Sequence, residues 1–150
     1  IMARLFSNFD MREVDRRTYQ AVVDFSYLDP ILGKITAKKS FVTNYASIDV
    51  LHNVVLFMFY ALLASYGDKA ATIHDWLYSG YGITHADGAI YYPTRAECDD
   101  VLYRALRAEG LAIWRAWMFW AGVRLGGHAA YEPKQVIFSE VPMIEATLTA

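Results

Sequence analysis

Three residues suited to acid–base chemistry fall close together at 74–78, where His74, Asp75 and Tyr78 interrupt the apolar run ATIHDWLYSGYG, and Asp99 follows 25 residues after the histidine. A histidine held by a carboxylate can take a proton from water, and a second carboxylate beside it can ligate a cation that polarises a carbonyl. Such chemistry requires His74 and Asp99 to face one another. On a helical wheel at about 100° per residue, His74 lies inside the arc of Ala70, Ile73 and Leu77, and Asp99 shares a face with Cys98, Leu102 and Leu106. Asp75 falls at the edge of the first arc, one step from solvent. If the two helices pack antiparallel through the glycine-rich segment SGYGITHADG, Asp99 meets His74 and fixes its tautomer, with Tyr78 in support.

Each of these residues also has a commoner structural role. A histidine on an apolar face is usually a core residue bonded to a backbone carbonyl. Asp99 suits the dipole at a helix start, Asp75 an exposed edge, and Tyr78 simple packing. His52, His85 and His128 lie in separate segments without H-x-x-x-H spacing, and Cys98 stands alone, so zinc is not expected. Ser47 lacks a G-x-S-x-G setting and suits a helix cap better than a nucleophile. Cys98, on a buried arc, suits an inert core thiol.

The elements that must position these residues follow from the hydrophobic pattern. YQAVVDFSYL alternates, with Ala21, Val23, Phe25 and Tyr27 on one face, and KITAKKSFVT reads as its return strand after a turn at Pro30 and Gly33. Ile48, Leu51, Val54, Val55, Met58 and Leu62 repeat at helical spacing behind an N-cap at Ser47, and Gly67 ends that helix. Asp68 then caps a second helix through about Tyr78. Thr94 and Glu97 form a capping box for a third helix running to Gly110, and LAIWRAWMFWAGVRL forms a fourth. QVIFSEV in the tail suits a strand added to the N-terminal sheet. The expected architecture is α+β, a small N-terminal antiparallel sheet or hairpin followed by a bundle of about four helices, in a single domain spanning 1–150.

The 150 residues carry 14 Lys and Arg against 16 Asp and Glu, a net charge of −2 without a basic cluster, so nucleic acid is not an expected partner. The single cysteine excludes an internal disulfide. No signal-peptide pattern opens the sequence, and Val54 to Ser65 is shorter than the ~20 apolar residues a membrane span needs. Hydrophobic residues nevertheless make up 55% of the chain, and the fourth helix concentrates Trp114, Trp117, Phe119 and Trp120. Some of this surface is expected to meet a partner subunit or a membrane surface.

FVTNYASI at 41–48, HDWLY at 74–78, RAECDDVLYRAL and WRAWMFWAGVRLGG, taken in order over about residues 19–127, resemble a family of unknown function found in tailed phages, prophages and bacteria. Its pattern runs F-V-T-D-x-A-S-x-P, H-D-x-L-Y, E-A-D-x-x-F and a Trp/Arg-rich helix. Here Asn44 replaces the usual aspartate and Asp49 the usual proline. That resemblance implies a virion, tail-associated or lysis-associated protein, located in the virion or the host cytoplasm, with other virion subunits as partners. H-D-x-x-Y followed by an aspartate on the next helix is also similar to the secreted and viral-capsid phospholipase A2 family. This second resemblance implies His74 as general base, Asp75 as a calcium ligand, and Tyr78 and Asp99 as the groups that hold the histidine. The family's glycine-rich calcium loop has no counterpart before His74. Two functions follow, a lipid or ester hydrolase using the His74–Asp99 dyad, or a non-enzymatic virion component in which the same set is a structural polar network.

Overall fold

A computed structural model describes residues 4–16, 18–43, 67–126, 131–132 and 135–144. The helix expected over 47–66, with Ser47 as its cap, lies outside the described residues, as do Asn44 and Asp49. The N-terminal strands are β1 (Met11–Asp15), β2 (Thr18–Ala21), β3 (Phe25–Asp29), β4 (Gly33–Ala37) and β5 (Val42–Thr43). They form an antiparallel sheet in the order β1-β2-β5 and a separate β3-β4 hairpin. The helices are α1 (Asp68–Tyr78), α2 (Arg95–Ala108) and α3 (Ile113–Gly126), and β6 (Ile83–Thr84) pairs with β7 (Ile90–Tyr91) between the first two.

The expectation of a sheet followed by a bundle of about four helices does not hold: the described residues form three small sheets and three helices. The reason lies in α1, where every residue from Ala70 to Tyr78 is buried. A helix buried on all sides, its polar groups included, needs cover on all sides. α2 packs on one side of α1 and β4 also packs on it, while Phe41, which leads into β5, meets Trp76 edge-on at 5.2 Å between ring centroids. α2 in turn carries α3.

The strand expected over 19–28 is two strands. After Ala21 the chain turns, Val22 donating its N–H to Asp10 and Ser40 donating to Ala21, and Asp24 accepts the N–H of Lys39 at 2.7 Å. Ala21, Phe25 and Tyr27 keep the inward face, while Val23, on the turn, is exposed. The tail does not extend the sheet as a strand. Buried Gln20 instead binds Pro142 and Ile144 through its side-chain amide, and Val136 bridges to Tyr81. The glycine-rich segment after α1 holds the β6-β7 hairpin.

Gly67, with φ of 99°, is the N-cap of α1, and Asp68 is its first residue rather than its cap. The capping box of α2 forms in both directions, Glu97 N–H to Thr94 at 3.2 Å and Thr94 N–H to Glu97 at 2.9 Å. α2 ends in a Schellman motif: Leu111 donates to Leu106, and Gly110, with φ of 100°, donates to Arg107. No described helix is long and apolar enough to cross a membrane.

A Cβ on Gly110 would touch nothing within 4 Å, so only the left-handed backbone resists a side chain there. Gly110→Ala should lower the unfolding free energy in urea by about 1 kcal/mol, with Gly110→Asn losing less.

Candidate functional site

The site is built from the middle of α1 outward. His74 is fully buried, and its Nε2 lies 2.9 Å from Oδ1 of Asp99, which α2 presents from its first two turns and which is also fully buried. Tyr78, one turn after His74, donates its hydroxyl to the same Oδ1, and the two rings lie 4.0 Å apart between centroids. Arg124, near the end of α3, donates from Nη1 to the other oxygen, Oδ2, at 2.9 Å. One carboxylate therefore accepts from α1 and α3 while belonging to α2. The geometry brings His74, Tyr78 and Asp99 together, as the helical wheels require.

Burial by itself would raise the Asp99 carboxyl. Hydrogen bonds from His74 and Tyr78, the charge of the imidazole when protonated, and the hydrogen bond from Arg124 outweigh it and hold the group below the ordinary carboxylate range. Tyr78 is pushed the other way, by burial first and then by its bond to the Asp99 carboxylate, and stays a phenol donor. Burial, with the charges of Asp99 and Glu97, likewise pushes the Cys98 thiol up, as suits an inert core thiol.

Asp75 does not stand at a rim. It is 7% exposed, and Oδ2 accepts the hydroxyl of Thr43 on β5. Among the described residues no group of three or more His, Cys, Asp or Glu is placed to hold a metal ion. Asp87, on the loop after α1, turns its carboxylate to the N–H of Ala89. His52 and His128 lie outside the described residues, and His85 is exposed on the β6-β7 turn.

Sequence reasoning missed the groups that complete the network. The signal for Arg124 is that it alone is charged on the outer arc formed by Ile113, Trp114, Trp117, Ala121 and Leu125. Arg95, in the first turn of α2, donates from Nη2 to the carbonyls of Val123 and Arg124, both at 2.8 Å, and so caps α3. A second buried pair joins Arg104 of α2 to Asp29 at the end of β3, at 2.9 and 3.1 Å, while Asp29 also accepts the N–H groups of Ile31 and Leu32. Asp100, next to Asp99 on α2, accepts from the indole of Trp120 at 2.9 Å.

The described residues thus join three helices at one buried carboxylate, with short strands covering α1. Residues 19–123 match the family model described as protein of unknown function (DUF1353), and the chain belongs to that family. No curated protein and no solved structure matches it.

Removing the carboxylate strands a buried imidazole and a guanidinium, so Asp99→Ala should cost about 3–5 kcal/mol of stability, against about 1 kcal/mol for Tyr78→Phe. Because the native state holds Asp99 below its unfolded value, its contribution is complete above about pH 4 and is lost as pH falls through the lowered value. Asp29 is lowered in the same sense, its bonds from Arg104 and the loop outweighing burial. Thermal unfolding from pH 7 to pH 2 should therefore show a shallower acid decline in Asp99→Asn than in wild type, the remainder belonging to Asp29.

Proposed function

We propose that this chain is a non-enzymatic structural or interaction protein of a phage particle, tail or assembly, in which His74, Tyr78, Asp99 and Arg124 lock three helices into a frame. The observation that carries this reading is complete burial: His74 and Asp99 have no exposed surface, and every carboxylate oxygen is occupied by a donor from another helix. Such a network orders the helices and offers nothing to a substrate. The cleft between β4 and Trp76, the one beside Tyr81 and Tyr131, and the one beside Leu5 and Ser26 do not include His74. The phage setting rests on the sequence resemblance. The partner surface in this reading is α3, where Ile113, Trp114, Trp117 and Leu125 are 54–80% exposed. Aromatic residues of this size on one face are typical anchors of subunit contacts.

A second reading, a phospholipase A2-like hydrolase, is favoured by one specific feature. Asp99 holds the Nε2 side of His74 while Tyr78 bonds the same carboxylate oxygen, an arrangement that makes Nδ1 the basic nitrogen of the neutral ring. In that reading His74 takes a proton from a water attacking an ester carbonyl, and Asp99 and Tyr78 position it. The ring must then become accessible through an opening of the elements over it.

Hydrolysis of mixed phospholipid vesicles, with calcium and with chelator, separates the two. The structural reading expects no fatty-acid release from wild type under either condition, and a large loss of melting temperature in His74→Ala and Asp99→Asn. Release by wild type that disappears in both variants while both remain folded would replace it with the hydrolase.

A further inference from the structure

Because strand residues alternate, β4 buries Ile35 and Ala37 and turns Lys34, Thr36 and Lys38 to the outside. β6 and the turn after it place Thr84 and His85 near that face, and Trp76 of α1 closes the floor. With Ala86, these side chains line a cleft of about 430 Å³. Among the described residues its polar lining comprises two ammonium groups, an imidazole and two hydroxyls, without a carboxylate, in a chain whose net charge is −2. Asp24 accepts the N–H of Lys39 with Oδ1 and forms a loose 3.7 Å ion pair with half-exposed Lys38 through Oδ2, which an incoming dianion would have to displace, and Asp87 accepts the N–H of Ala89. The turn that carries His85 is closed by its own backbone, His85 N–H to Ala89 at 2.8 Å and Gly88 N–H to His85 at 2.9 Å. Thr36 shares a 2.8 Å hydrogen bond with Ser26, which fixes its rotamer beside the lysines.

We propose that this cleft binds a phosphate monoester, its dianion held between Lys34, Lys38 and His85, with Thr36 and Thr84 donating to its oxygens. A phosphate offers three terminal oxygens that can accept from several directions, as donors from two strands and a turn require; a carboxylate offers two in one plane. The cleft is larger than a phosphate group, which leaves room for an organic portion beside the indole of Trp76. A soluble phosphate ester and a lipid with a terminal phosphate share this chemistry.

Amide NMR titration of the full chain with glycerol 3-phosphate, and flotation with vesicles of phosphatidylcholine alone or with phosphatidic acid, test the site and separate its sources. Saturable shifts at Thr36, Thr84 and His85, weakened about tenfold in Lys34→Gln and in Lys38→Gln but unchanged in Arg12→Gln on β1, are expected. Flotation with phosphatidic acid that is lost in Lys34→Gln assigns the lipid form of the ligand, and soluble binding without flotation assigns the free ester. Both lysines are exposed, so their substitution should leave the fold intact and the variants report on binding. No saturable shift together with no flotation, or equal weakening by Arg12→Gln, overturns the proposal.

Discussion

A single carboxylate with no access to water sets the terms for the helical half of this protein. An ionised aspartate in an apolar surround is costly unless its oxygens are filled by donors, and Asp99 draws those donors from the two helices that flank its own. The three helices therefore cannot slide or rotate independently: a shift of α3 by one residue removes Arg124, and a rotation of α1 removes His74 and Tyr78 together. Apolar contacts on these faces are less exacting, since side chains of equal volume such as Leu, Ile and Met replace one another at small cost. The polar bonds select one. Arg95 adds to this selection from the same helix as Asp99, because its grip on the last carbonyls of α3 fixes where that helix ends relative to α2.

On the other side, the constraint is the uniform burial of α1. With α2 on one face, the remaining surface of α1 falls to short strands and loops, and each is tied down by side chains rather than by a continuous sheet. Thr43 reaches Asp75, Arg104 reaches back to Asp29, and Gln20 draws the tail over β2. Small sheets suit this task, since a wide one would be too flat to wrap a single helix. The cleft at β4 lies at the margin of this cover, where the outward side chains Lys34 and Thr36 share a cavity with Trp76.

What could be read from the residue order divides along the range of the interactions. The extent of α1, the capping box at Thr94 and Glu97, and the inward side of His74 and Asp99 all depend on neighbours within four residues, and they are legible for that reason. The break at 22–24 was not, because alternation continues through it; Asp24 and Ser40 turn the chain through bonds between segments that no local pattern reports. Arg124 and Thr43 were missed for the same cause, each meeting its partner across 25 and 32 residues. Asp75 was misplaced because a wheel assigns an edge without saying what covers it, and β5 covers this one. The bundle failed because a helix wheel cannot tell a helical neighbour from a strand.

The same carboxylate also bears on which function the network can serve. A general base needs its orienting carboxylate to steady the imidazolium formed when a proton is taken up. Asp99 is in the right place for that, but one of its oxygens already serves a guanidinium and the other is shared between an imidazole and a phenol. Each added donor stabilises the folded frame and divides the charge available to the histidine. An arrangement tuned for catalysis would keep the carboxylate for the base and leave the ring a path to solvent. Here the donors accumulate on the side that rigidity requires, and the exposed apolar residues of α3 share an arc with Arg124, the residue through which this network holds the helix in place. A surface meant to bind another subunit gains from such a mount, because a helix already fixed in orientation loses little conformational freedom when its aromatic side chains are covered.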